Sequence, residues 1–134
     1  MTPRFRFGKQ ERLKSRKQID ALFNGGKGFA VFPLRVSYAL VPAAAVPVQA
    51  GVTASKRSFK RAVDRNRIKR LLREAYRLNK EELIRAVEEK NIHLAVFFLY
   101  TGKNIATFSE IEAAMKACLK KLQQKLPATH ENPS

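Results

Sequence analysis

The densest chemistry in this chain lies at positions 56–77, in KRSFKRAVDRNRIKRLLREAYR. Ten of these residues are Lys or Arg (56, 57, 60, 61, 65, 67, 69, 70, 73 and 77), and only Asp64 and Glu74 oppose them. Charge at this density repels itself, so a folded domain carries it where a polyanion offsets the repulsion. Its arrangement says more than its amount. Asp64 reads as a helix N-cap, with Arg65, Asn66 and Arg67 forming the first turn. That turn sits at the positive end of the helix dipole, where acidic residues are normally favoured. Two arginines there oppose the local field, but free backbone N–H groups beside two guanidinium forks would clamp a phosphate. The plainer alternative, a solvated basic face, leaves that placement at the helix start unexplained.

At about 100° per residue, Arg65, Lys69, Arg73, Asn66, Arg77 and Arg70 fall in one arc. Ile68, Leu71, Leu72, Ala75 and Leu78 fall in the opposite arc, with Tyr76 at the border. One face can dock on a core while the other presents a basic strip, with Arg67 set apart from it. This is a rigid nucleic-acid surface, unlike a disordered basic tail.

Other chemistry is thin. A nuclease active site made of protein would need clustered carboxylates for two metals, or His with Lys. The chain has 11 acidic residues, mostly single surface positions; Glu81-Glu82 and Glu88-Glu89 are adjacent pairs that diverge on a helix. His93 falls in a predicted strand and His130 in the tail. Cys118 is the only cysteine, which excludes an internal disulfide, and it falls on an apolar helix stripe that suits a structural thiol. No metal site and no nucleophile constellation emerges, so catalysis is expected to belong to a partner.

The elements that would hold the basic helix can be read in order. A chain of 134 residues with 45% hydrophobic content is most simply one folded domain. Its net charge of +16 points to RNA, DNA or an anionic membrane. No apolar run reaches the roughly 18 residues of a membrane span. The opening MTPRFRFGKQ has no apolar signal-peptide core, so a cytoplasmic location is expected. Residues 1–14 read as an extended basic arm, residues 15–126 as the folded domain and residues 127–134 as a mobile tail. Ser15 and Gln18 form a capping box for a short helix with Ile19, Leu22 and Phe23 on its apolar face, ended by Gly25-Gly26.

Positions 29–41 are extended, with Val36, Tyr38 and Leu40 on one face; PAAAVP (42–47) is a loop and VQAGVTA (48–54) a second strand. These two strands are expected to form a hairpin with a long connection. The basic helix is predicted over 65–78. Asn79 would cap a further helix ending near Asn91, and HLAVFFLY (93–100) reads as a strand buried on both sides. Ser109 and Glu112 suggest a capping box for a last helix whose apolar positions run from Ile111 to Leu126, stopped by Pro127. The fold class is α+β, a small sheet with helices packed on it.

In this order the elements resemble the protein component of bacterial ribonuclease P. RNRIKRLLREAYR (65–77) matches that family's basic helix with its Arg-Asn-Arg opening; RLKSRKQIDALF (12–23) is similar to its N-terminal motif; GVTASKR (51–57) is similar to the strand entering the basic loop. The resemblance covers roughly residues 10–120. It implies a left-handed βαβ crossover, against the usual right-handed rule. It also implies that an RNA subunit carries the catalytic site and removes the 5′ leader of precursor tRNA.

RNA-facing roles then pass to Arg65, Asn66, Arg67, Lys69, Arg70 and Arg73, with Arg57, Lys60 and Arg61 in the preceding loop. Leader-cleft roles pass to Phe23, Tyr38 and Phe32, although Phe23 and Tyr38 suit a core equally well. Mg2+ would be held mainly by the RNA subunit and substrate, and the protein would act as a monomer within a ribonucleoprotein. Two departures stand out: Ile19 replaces a common aromatic, and the loop KRSFKRA (56–62) has no glycine where relatives read Lys-Lys-x-Gly. The alternative is a non-catalytic structural RNA-binding or ribosomal protein. A DNA-reading helix fits less well, because it would mix Asn, Gln, Ser and Thr among its arginines.

Overall fold

The computed structural model describes residues 7–42 and 45–127. A 3-10 turn at Lys9–Glu11 precedes α1 (Arg16–Gly25), and three strands follow: β1 (Lys27–Val31), β2 (Leu34–Leu40) and β3 (Val48–Ala54). Next come α2 (Ala62–Asn79), α3 (Glu81–Glu89), β4 (Leu94–Tyr100) and α4 (Phe108–Lys125). The strands form one sheet in the order β1-β2-β4-β3, giving the expected α+β class.

β4 explains that order. Its sequence LAVFFLY is apolar on both faces, so it is stable only where strands flank it and both faces are covered. It therefore takes the interior, antiparallel to β2 and parallel to β3. The hairpin expected between β2 and β3 does not form, because β4 lies between them. The real hairpin is β1–β2, paired from Lys27↔Tyr38 to Val31↔Leu34. The span 29–41 is two strands, reversed by a proline turn at Phe32-Pro33 through a cis peptide bond.

Alternation along the strands divides the core in two. Leu34, Val36 and Tyr38 of β2 join Val96, Phe98 and Tyr100 of β4 in the large core beneath α2 and α4. On the other face Ala95 and Phe97 pack with Leu22 of α1 and Leu13. Residues 7–13, read as part of an extended arm, are packed on the body: Phe7 and Leu13 are buried, and the Leu13 amide donates to the Ala50 carbonyl at 2.9 Å. Residues 1–6 and the tail from 128 lie outside the described residues.

Helix ends follow local chemistry, with shifts from the expected positions. The Gln18 amide donates to Ser15 Oγ at 3.3 Å, as expected. The capping box of α4 is Thr107 with Glu110, two residues before the Ser109–Glu112 pair. Glu112 instead accepts from Asn79 Nδ2 at 3.0 Å. Asn79 is thus the last residue of α2 and ties it to α4; it does not cap α3, whose N-cap is Lys80. Asn91, at φ 56°, turns the chain into β4.

Gly51 marks a close approach. A Cβ there would meet the Phe97 ring at 2.7 Å and the Leu13 carbonyl at 3.0 Å. Gly51→Ala should therefore displace Phe97 and destabilise the domain by ~1–3 kcal/mol, as overpacking does elsewhere. A melting curve checks this, with Gly25→Ala as the control because nothing lies within 4 Å of a Cβ at that position.

Candidate nucleic-acid interface

α2 begins at Ala62 with Arg61 as N-cap, three residues before the expected start. Asp64 is not the cap but sits in the first turn, where Arg61 Nε donates to its Oδ2 at 3.2 Å. Arg65 and Arg67 therefore belong to the second turn, and the helix-end clamp read from the sequence is not built. Arg65 turns back instead, donating through Nη1 to the Phe59 carbonyl at 2.8 Å and the Lys60 carbonyl at 2.9 Å. The cause is rotational. The buried arc of α2 is Ile68, Leu72, Ala75 and Tyr76, while Leu78 is exposed. Inclusion of Tyr76 brings the arc edge next to Arg65.

The glycine-free loop before α2 is held by that brace and by Phe59. Phe59 is buried and packs on Tyr100 with ring centroids 5.9 Å apart, and its amide donates to the Ser55 carbonyl at 3.0 Å. Lys56, Arg57, Lys60 and Arg61 project outward from this pinned loop, all exposed. At the far end of α2, Arg77 is taken by Glu74 in a fork of 3.1 and 2.6 Å, which holds the Glu74 carboxyl below its usual range. Between these ends Asn66, Arg67, Lys69, Arg70 and Arg73 make no ion pair among the described residues. Lys69, Arg70 and Arg73 form a strip of cations with Asn66 among them and Arg67 beside it, on a helix fixed against β3 and α4. Burial, then the nearby charges of Arg12 and Arg70, lowers the pKa of Arg73 from its ordinary value.

The aromatic candidates separate. Phe23 is 49% exposed on α1 and meets Phe97 edge-on, with centroids 5.5 Å apart. Tyr38 lies on the opposite face of the sheet, 8% exposed in the large core with its ring 6.0 Å from Phe29. Alternation along β2 points Tyr38 away from Phe23, so the structure does not bring these two together. Phe32 is 80% exposed at the β1–β2 reversal and lines a groove with Ile105, Ala106 and Ala114 toward α4, away from Phe23.

The sheet face beside Phe23 carries residues not singled out in the sequence. α1 covers its sheet face at Ala39, Val41, Ala95 and Phe97. Beyond that, Arg35 and Ser37 of β2, Leu99 of β4 and Thr53 of β3 share the face by register, with Arg35 exposed and the others partly so. The signal was in RVSYALV, whose alternate positions carry Arg and Ser. The result is an open floor with a cation on it and the Phe23 ring at one wall.

Among the described residues no three of His, Cys, Asp or Glu come together to hold a metal. Burial pushes the Cys118 thiol up to about 12, so it stays protonated and unreactive at neutral pH. Among the described residues no helix is long and apolar enough to cross a membrane.

A model of the Ribonuclease P family matches residues 7–123, spanning α2, its loop and the open sheet face. The chain belongs to the ribonuclease P protein family. It is 39% identical over 128 residues to the ribonuclease P protein component of Porphyromonas gingivalis, covering 95% of this chain and 93% of the relative. To that of Chlorobaculum tepidum it is 34% identical over 132 residues, covering 90% and 86%. The RNase P protein structure from Staphylococcus aureus superposes with a TM-score of 0.69 at 20% identity, covering 85% of this chain and 96% of that one. The Thermotoga maritima structure gives 0.66 at 21%, covering 83% and 96%. At those identities the structures speak for the fold. The chain functions as the protein part of ribonuclease P, an endoribonuclease of tRNA 5′ maturation that works as a ribonucleoprotein.

Proposed function

We propose that the chain docks on the catalytic RNA subunit of ribonuclease P through α2 and the loop before it. The 5′ leader of precursor tRNA lies on the open sheet face beside α1. The observation that carries this is the strip from Asn66 to Arg73, unpaired by any carboxylate among the described residues on a rigid helix. Arg67, Lys69 and Arg70 neutralise RNA phosphates, and Arg57, Lys60 and Arg61 extend the contact from the loop. Arg65 contributes by bracing that loop. On the sheet face Phe23 offers a stacking surface, Arg35 a charge for the leader backbone, and Ser37 and Thr53 hydroxyls for sugars or bases.

The enzyme works in the cytoplasm, and Mg2+ is held by the RNA and substrate; the described residues of this chain do not fit a site for it. By neutralising phosphate the protein replaces cations that the folded RNA would otherwise require. Reconstitution tests the reading. The purified protein alone should leave precursor tRNA intact, and with the RNA subunit it should promote leader removal at magnesium too low for the RNA alone. Robust magnesium-dependent cleavage by RNA-free protein would overturn the assignment.

A further inference from the structure

The N-terminal segment, β3 and α2 surround a small pocket of about 100 Å3 whose lining includes Arg12, Lys14 and Arg73 beside Phe7, Leu13 and apolar residues of β3. Its floor is β3, the last strand of the sheet. It is far below the roughly 300–1,000 Å3 of sites that take whole small molecules. We propose that this pocket holds one phosphodiester of the bound RNA, gripped by Arg12, Lys14 and Arg73. The inference rests on the RNA-docking reading above and adds a contact from a second part of the chain.

The basic groups are brought there by pairing, not by chance crowding. Arg12 forms a parallel bridge with Ala50, extending the sheet by one short segment beyond β3. Leu13 is buried toward α1, so alternation turns Arg12 and Lys14 to the other side, toward α2. The Arg12 guanidinium lies over the Phe7 ring, 5.4 Å from its centroid, and Phe7 in turn packs on Tyr76 of α2 at 5.2 Å. Arg73 reaches the same pocket from α2. No carboxylate lines it, and none pairs with Arg12, Lys14 or Arg73 among the described residues. The Arg73 guanidinium titrates below its ordinary value through burial and the adjacent Arg12 and Arg70 charges. Converging cations without a counter-ion are self-repelling, and an anion relieves that repulsion.

Position gives the contact its use. The pocket sits on the sheet edge where the α2 strip meets the face carrying α1. An RNA backbone passing from one to the other crosses it. A phosphate held here fixes the path between the docking surface and the leader floor.

The test is the affinity of Lys14→Ala, Arg73→Ala and the double variant for the ribonuclease P RNA subunit with bound precursor tRNA, across a potassium chloride series. Each single change should weaken binding roughly tenfold, as for a lost charge-assisted hydrogen bond. Each should also flatten the log–log salt slope by about 0.7–0.9, the value for one phosphate. The double variant should lose little more than either single, because both groups serve one phosphate. Losses that multiply to about a hundredfold, or an unchanged slope for Lys14→Ala, overturn the pocket. So does an equal loss for the control Lys116→Ala on α4. Arg67→Ala separates the two claims: loss there with none at Lys14 overturns the pocket alone, while loss at Lys14 with none at Arg67 supports the pocket and overturns docking through the strip.

Discussion

Replacing Arg67 and Arg70 together by Ala should weaken binding of the ribonuclease P RNA subunit about a hundredfold or more, at about 1.5–3 kcal/mol for each charge-assisted contact. The melting temperature should hold or rise slightly, because both side chains are exposed, lack ion-pair partners and repel their neighbours. Arg65→Ala should behave in the opposite way. Its guanidinium bonds the carbonyls of Phe59 and Lys60, so the loss appears first in stability and in the order of the loop. Lys116→Ala with Lys120→Ala should change RNA affinity little. Binding isotherms at one salt concentration, with melting curves of the same proteins, decide the matter. Equal binding losses from the α2 and α4 pairs would mean that only total charge counts.

The two aromatic residues flanking the sheet should give contrasting results. Tyr38→Ala should cost ~3–5 kcal/mol of stability, as large-to-small changes in a core do, because the ring is buried against Phe29. Its preference for long-leader over leaderless precursor tRNA should be unchanged. Phe23→Ala removes a half-exposed ring and should cost less stability. It should weaken long-leader precursors selectively, by the ~1–3 kcal/mol of a lost base stack. Holoenzyme affinities for precursors of graded leader length provide the readout. Selective loss of long-leader binding in Tyr38→Ala at unchanged stability would reverse the assignment of the two faces.

These contrasts show where the sequence was readable. Elements with strong periodicity were clear: the buried strand at LAVFFLY, the apolar stripe of α4 from Ile111 to Leu122, and the cationic helix. Pairing was not, because register depends on which strand most needs cover, a property of the whole sheet. Tyr38 was assigned to the cleft although the alternation in RVSYALV already put Arg35 and Ser37 on the face opposite to it. The start of α2 was misplaced because Asp64 is a good cap by type. Its carboxylate is taken by Arg61 within the first turn. The brace from Arg65 to the loop carbonyls had no sequence signal, since an inward-turning arginine looks the same as a strip member. Arg12 and Lys14 were legible as charge but not as part of a site, which required the bridge to Ala50.

The central place of β4 sets the order in which the molecule can come into being. Only the β1–β2 hairpin closes locally; β2 and β3 have no partner in common until residues 94–100 arrive. Contacts of such wide sequence separation carry a loop-closure cost before they return any burial, which slows folding. During synthesis the cationic helix leaves the ribosome well before the strand that completes the platform beneath it. The RNA-binding face thus becomes rigid only when nearly the whole chain has been made, and a chain halted before Tyr100 presents the same charges without their geometry.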